Sequence, residues 1–341
     1  MSRTLLIGDL HFGVKTNNVI WLDYQIKFFK KQIIPTIREK NIDRIVFLGD
    51  LFDIRYSVNQ QVGITVQKII TYLLDTFKDK EFVFIAGNHD YYSPLENLQE
   101  YNAYDLVFAE EYRKCHPNVK FVTKDPVLID ETLYLPWYYT ENPEHFDSLL
   151  YNYKFGSEVK SIYCHTDLSI WPGARIASLR GCPVYSGHIH NIVIDEDNSL
   201  YNLGSAMAFT FSDVDEAKYL YIVENHEIVE RIENVTTMRF KRFFNEDIFT
   251  ITDDDVKDSY IQLCISNSNI NKSQYIDQIK LIKSSYTDAN IRVRPIEDNM
   301  TSASFTAEGF TTNISQFIDD NMPDYLEAKY TMIKDKIKDK N

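Results

Sequence analysis

Cysteine is scarce, with four residues (Cys115, Cys164, Cys182 and Cys264) in a chain of 341. None forms a CxxC pair, and four scattered thiols at this length do not make a disulfide framework. Reduced thiols in a cytoplasmic protein are the expectation. The 11 Gly and 10 Pro are outnumbered by 23 Tyr and 21 Phe, which excludes a low-complexity or fibrous chain. No apolar stretch approaches the length of a membrane span, and the N-terminal run that ends at Gly8-Asp9 is too short for a signal peptide. Positive charge is also lacking: 36 Lys and Arg against 50 Asp and Glu leave a net charge of −14. Such a chain is a poor non-specific binder of polyanions. If it acts on nucleic acid, a bound divalent metal, a local basic patch or a basic partner must offset the repulsion.

Hydrophobic residues make up 44% of the chain, enough for a sizeable core, and the length predicts two domains. The first 90 residues repeat one pattern three times. Short apolar strands at 4–7, 44–48 and 82–86 end in Gly8-Asp9, Gly49-Asp50 and Gly87-Asn88. Helical periodicity fills the gaps at 22–39 and 62–77. Strand alternating with helix implies βαβ units and a parallel or mixed sheet. The polar residues then lie at the carboxyl ends of the strands, where open α/β sheets hold their ligands. Further strands are predicted at 132–135, 160–164, 182–186, 192–195 and 200–203. Hairpins are predicted with turns at Asp197-Asn198 and Asn225-His226. The acidic run ITDDDVKDS after residue 244 reads as a linker or exposed turn. It precedes a strand at 260–266, a helix at 272–285 capped by Asn271, and a strand at 291–295. A helical tail follows from 314.

Five of the eight histidines fall in short polar clusters after apolar strands. These are Asp9-Leu10-His11, Asp50-Leu51-Phe52-Asp53, Asn88-His89-Asp90, Cys164-His165-Thr166 and His188-Ile189-His190. Carboxylate with imidazole suits Mn, Fe, Zn or Mg rather than a thiolate site. The Asp-x-His and His-x-His spacings put two side chains on one face of an extended segment. Taken singly, each cluster reads as a turn, a helix cap or a packing histidine. Five in this order read as a metal site.

The order Asp-x-His, Gly-Asp, Gly-Asn-His-Asp, lone His, Gly-His-x-His resembles the signature of the calcineurin-like metallophosphoesterases over residues 4–205. GDLHFG near the N-terminus, GNHD, and a small α/β domain followed by a helical tail resemble the SbcD-type nuclease subunit of double-strand-break repair complexes, including the recombination endonucleases of large bacteriophages. The resemblance implies an α/β fold: a two-sheet sandwich flanked by helices over 1–244, a small α/β DNA-capping domain over 245–312 and a partner-binding helical tail over 313–341. It implies two divalent ions, Mn²⁺ or Mg²⁺. Asp9, His11 and His190 match ligands of one ion, Asn88, His165 and His188 ligands of the other, and Asp50 the bridging carboxylate. His89 matches a catalytic histidine that is not a ligand. Asp53, where many repair nucleases have histidine, is placed to accept a hydrogen bond from the His89 ring and favour its charged form, or to cap the following helix. The implied function is Mn-dependent exo- or endonucleolytic hydrolysis of DNA in the cytoplasm, with an SbcC-type coiled-coil ABC ATPase as partner. The alternative is a phosphoesterase for a small phosphodiester or phosphoprotein. Dimerisation is expected through helices at 62–77 and about 97–113.

Three weaker signals remain. Arg239, Lys241 and Arg242 alternate with phenylalanine, as either a DNA contact or a strand with Phe inside. Leu326, Tyr330, Ile333 and Ile337 form a tail stripe, either folded back on its own domain or docked on the ATPase. Cys115-His116, His145 and His226 lack partner ligands in the sequence and are expected to be incidental or at the surface.

Overall fold

The three apolar runs that open the chain form strands β1 (Arg3–Ile7), β2 (Arg44–Phe47) and β3 (Glu81–Ile85), almost wholly buried. The computed structural model describes residues 3–93, 101–141, 143–214, 216–286, 290–298 and 300. Strands β4 (Val119–Val122), β5 (Val127–Ile129), β6 (Thr132–Leu135), β7 (Ser161–His165) and β8 (Val184–Gly187) follow. Then come β9 (Val193–Asp195), β10 (Leu200–Asn202), β11 (Tyr219–Glu224), β12 (Glu227–Glu233), β13 (Arg239–Phe244), β14 (Ser259–Ser266) and β15 (Asn290–Ile296). The chain divides into two compact units, Met1–Phe240 and Lys241–Asn341.

In the first unit, one sheet has the order β12-β11-β1-β2-β3-β4 and the other β5-β6-β7-β8-β10-β9. β1 to β4 are mutually parallel, and so are β6, β7, β8 and β10. The sheets face each other through Leu6, Val46, Val83 and Ile85 on one side and Tyr134, Tyr163 and Tyr185 on the other. Strand side chains alternate between faces. Leu133, Leu135, Ile162 and Cys164 therefore turn outward onto Leu149, Trp171, Ala174 and Ala177. Tyrosine between two sheets needs hydroxyl partners. Tyr185 donates to the His226 carbonyl and Tyr221 to that of Leu203, at 2.6 and 3.0 Å. Both predicted hairpins form, β9–β10 and β11–β12. This is the two-sheet sandwich flanked by helices that the sequence predicts.

The predicted helix at 22–39 is broken by a π-helical turn at Phe29–Ile33, between helices Val19–Phe28 and Ile34–Glu39. Pro35 has no amide hydrogen and its ring crowds the carbonyl four residues earlier, which the wider turn relieves. Helix Gln60–Thr76 starts at Asn59, whose side chain accepts from Gln61 N. Asn59, not Asp53, is thus the cap. In place of one helix at about 97–113 stand two short ones, Ala103–Val107 and Glu110–Cys115, parted at the buried Phe108. Residues 94–100 lie outside the described residues.

In the second unit, strands in the order β13-β14-β15 and helix Ser273–Ser285 enclose Ile248, Ile261, Leu263, Ile265, Tyr275 and Ile282. The acidic run is a helical turn, Asp253–Val256, with a capping box between Thr252 and Asp255. Acidic side chains are favoured at that helix end. Asn271 is not the cap: Lys272 occupies that position, its amide closing a turn onto Asn269 O at 2.9 Å, and its ammonium, which can only donate, makes no capping bond. Phe240 is buried and Arg239 exposed. Lys241 pairs with Asp255 at 2.7 Å and Arg242 donates to Gln262 at 3.0 Å. Leu326, Tyr330, Ile333 and Ile337 lie outside the described residues. Among the described residues no helix is long and apolar enough to cross a membrane.

Candidate metal centre

Five strands deliver the predicted ligands from their carboxyl ends: β1 to Asp9 and His11, β2 to Asp50, β3 to Asn88, β7 to His165, and β8 to His188 and His190. Parallel neighbours put these ends on one edge of each sheet. The turns are tight. His11, Asp50 and His188 have φ of 45°, 47° and 85°, left-handed values that cost a non-glycine residue and cluster at functional sites. A Cβ on Gly87 would lie 2.2 Å from Asp50 Oδ1, and one on Gly187 would lie 2.5 Å from Asp9 Oδ1. Only glycine lets the loops approach so closely. Main-chain bonds from Leu10 N and His11 N to Asp50 O, at 3.1 and 2.9 Å, lock the first two loops.

The side chains converge in two sets. Donor atoms of Asp9, His11 and His190 lie within 4.8 Å of one another, as do those of Asp50, His165 and His188. His11 Nε2 and His190 Nε2 are 3.0 Å apart. Asn88 Oδ1 is 3.1 Å from His165 Nε2 and 2.9 Å from His188 Nδ1. Asp50 Oδ2 faces both sets, 3.6 Å from His11 Nε2 and 3.4 Å from His165 Nε2. The Asn88 orientation tests whether cations fit. Turned over, its nitrogen would donate to Asp50, His188 and His165, and its oxygen would accept from Arg55. As placed, the amide oxygen faces the Asp50 carboxylate and the His165 and His188 ring nitrogens, the side on which a cation would sit, and the amide nitrogen faces Arg55. The donor set, imidazole with oxygen and no thiolate, fits divalent Mn, Fe, Zn or Mg.

Supporting contacts fix the donors. His165 Nδ1 donates to the Leu48 carbonyl at 2.7 Å, so Nε2 is the nitrogen that could take a metal once its proton is lost. Several such residues carry no local sequence signal. Gln25 donates to the carbonyls of Leu10 and His11 at 2.6 and 3.1 Å. Buried Lys218 donates to His190 O at 2.8 Å and pairs with Asp213 at 2.7 Å. The Phe209 ring packs against those of His11 and His190. Asp90 belongs to the Gly-Asn-His-Asp motif, but its carboxylate turns away from the donors. It accepts from Gly87 N (2.9 Å), Phe52 N (3.1 Å) and Tyr104 Oη (3.1 Å), tying the Asp50 and Asn88 loops together.

The electrostatics follow from burial and crowding. Burial pushes Asp9 up to about 6, and burial with the neighbouring Asp50 pushes Asp90 up to about 7. Burial opposes ionisation of Asp50 as well, but His165, with His11 and His89, outweighs it and holds that carboxyl far below its usual range. Burial likewise opposes charge on His165, yet Asp50 and Asp9 raise it to about 9. His188 falls to about 4 through burial and the nearby His165, and His190 to about 3 through burial and His11. Those two rings are therefore neutral at neutral pH, the form that binds metal.

His89 differs from expectation. Its Nδ1 meets the Asp53 main-chain carbonyl at 2.5 Å, not the Asp53 carboxylate. The carboxylate instead stands 3.2 Å from His11 Nδ1. Burial lowers the His89 pKa, so the ring is not held charged. Its donor atom also lies within 4.8 Å of those of His11 and Asp50. The incidental histidines lie elsewhere: His116 bonds the Tyr112 carbonyl, His145 stacks on Tyr139, and His226 bonds Ser161.

The model of the calcineurin-like phosphoesterase family matches residues 2–191. Comparison with curated proteins finds no match.

Proposed function

Since the chain belongs to the calcineurin-like phosphoesterase family, whose members are metal-dependent phosphoester hydrolases, we propose that its substrate is the phosphodiester backbone of DNA, cleaved with two divalent ions, Mn²⁺ first and Mg²⁺ as the alternative. The observation that carries hydrolysis is the pair of donor sets sharing Asp50 Oδ2. Ions held there would supply Lewis-acid polarisation of the phosphoryl group and a water of lowered pKa. The chain's own part is to hold that geometry. Asp9, His11 and His190 make one nest, Asn88, His165 and His188 the other, and Asp50 faces both. Neutral His89, with Nδ1–H given to Asp53 O, keeps Nε2 for a proton in transit to or from the reacting oxygens.

The DNA assignment is supported by GDLHFG, by GNHD and by the small α/β unit after the hydrolase domain. Positive charge at a dimetal site also answers the net −14. With the same resemblance goes work in the cytoplasm as a homodimer, with an SbcC-type coiled-coil ATPase engaged by the tail at 313–341. Purified protein should be incubated with linear duplex DNA, single-stranded DNA and a chromogenic phosphodiester, each with Mn²⁺ or Mg²⁺. Metal-dependent cleavage of DNA supports the reading. Turnover of the chromogenic diester alone moves the substrate to a small phosphodiester.

A further inference from the structure

The loops that carry Asp50 and Asn88 run on, away from the metal donors, into the walls of a groove of about 300 Å³. Residues 55–58, which follow the Asp50 loop, make one wall. Tyr92, which follows the Asn88 loop, makes the other together with Tyr101 and Leu106. The second wall is pinned by Tyr92 N donating to Tyr101 O at 2.8 Å and by a bridge between Tyr91 and Asn102. The lining is predominantly apolar, yet its rings face solvent: Tyr56 is 73% exposed, Tyr101 57% and Tyr92 46%. Apolar surface scattered singly is ordinary, but three tyrosines gathered along one groove mark a binding surface. At the other end of the groove lies Arg55, whose Nη2 stands beside the side-chain nitrogen of Asn88, donor against donor, with no hydrogen bond between them. Arg55 thus lines the groove and adjoins one of the residues at the metal centre.

We propose that this groove is a nucleobase subsite, in which Tyr56, Tyr92 and Tyr101 offer ring faces to the base of a nucleotide unit. Its phosphate lies toward the metal centre, with Arg55 as the cation between. This deepens the phosphodiester reading and rests on it. The volume is at the low end for small-ligand sites and suits one nucleoside rather than a duplex. Every base has a π-face, so stacking on tyrosine is tolerant of sequence. A guanidinium is the side chain best shaped for phosphate oxygens. Asp105, also in the lining, is paired with Arg113 and so does not confront the phosphate as a free charge. Stacking also explains how an acidic chain holds a polyanion, since net charge gives it no general attraction.

The test is calorimetric binding to the full chain loaded with Mn²⁺, using dAMP and deoxyribose 5-phosphate. dAMP should bind roughly tenfold more tightly, the range expected for one stacked base. Tyr56→Ala with Tyr101→Ala should bring the two ligands to parity, and the corresponding Phe variants should restore the preference. Arg55→Ala should weaken both ligands and leave their ratio intact. A tetradeoxynucleotide that shows the same tyrosine dependence assigns the subsite to a strand end; dependence confined to dAMP assigns it to free nucleotide. No binding of dAMP, equal affinities in the parent protein, or a ratio indifferent to the tyrosines would overturn the proposal. Binding is read without turnover. Absence of phosphodiester cleavage would therefore sink the hydrolase reading alone, and loss of the ratio with cleavage intact would sink the subsite alone.

Discussion

Asp50 is one carboxylate with two audiences. Its Oδ2 faces the His11 and His165 nitrogens, while Oδ1 accepts from His89 N at 2.8 Å. On the proposed dimetal reading, removing it takes a ligand from both donor sets at once. Asp50→Ala should therefore bring metal-dependent turnover to background and reduce metal stoichiometry by at least one ion in calorimetry, with the circular dichroism of the fold retained. Normal Mn²⁺-dependent cleavage would end the dimetal reading. His89 is reached by a different argument. Its Nδ1 is given to a main-chain carbonyl, so only Nε2 is free to act. His89→Ala should lower turnover by about 10²–10⁴-fold, the usual span for a lost proton-transfer group, with metal binding kept. If the variant loses a metal instead, its nearness to His11 and Asp50 means ligation. Asp53→Asn should leave the His89 ring in place, because the carbonyl persists. It should weaken metal held by Asp9, His11 and His190, since the carboxylate serves His11 Nδ1. Metal titration of the two variants side by side separates these roles.

At the scale of elements, the site is a set of strand ends held at short range by glycine and by Asp90. Gly87→Ala would put a methyl 2.2 Å from Asp50 Oδ1, 2.3 Å from Asp50 N and 2.8 Å from His165 Cε1. These neighbours are backbone and buried donors that cannot swing away. The variant should fold with its sheets intact but bind metal at least about tenfold more weakly, as losses of supporting contacts around ligands do. Unchanged Mn²⁺ affinity would mean that the loops part easily. The same elements explain what the sequence could tell. A strand end shows itself as an apolar run closed by glycine and a polar residue, so β1, β2 and β3 and their cargo were visible. The break before Pro35 was not, because Phe28, Phe29, Ile33, Ile34 and Ile37 are buried on both sides of it and the apolar periodicity runs through. Asp90 adjoins the motif residues in sequence yet turns into the loop amides; one residue along a tight turn reverses a side chain. Lys218 and Gln25 reach the donor loops from far along the chain, and no local spacing announces them.

At the scale of the molecule, the charges buried at the site couple folding to pH and to metal. In the metal-free protein, His165 is raised from an ordinary 6.5 to about 9 by Asp50 and Asp9 after overcoming the burial that opposes its charge. A group raised in the folded state contributes stability that is complete below its unfolded value and lost as pH climbs through the folded one. Its share therefore disappears between pH 6.5 and 9. Asp90, raised by burial from 3.8 to about 7, has the same sign, with its share lost as pH climbs through 7. The metal-free chain should accordingly unfold at progressively lower temperature from pH 6.5 to 9. Metal reverses the trend, because it binds neutral imidazole and ionised carboxylate and must displace the His165 proton. The gain in unfolding temperature on adding Mn²⁺ should therefore widen by several degrees across the same window. Thermal unfolding in EDTA and in excess Mn²⁺, at half-unit steps from pH 6 to 9, reads both curves. A metal-free curve that stays flat or rises would show that Asp50 and Asp9 do not hold His165 charged, and a constant gain would show that metal displaces no proton there.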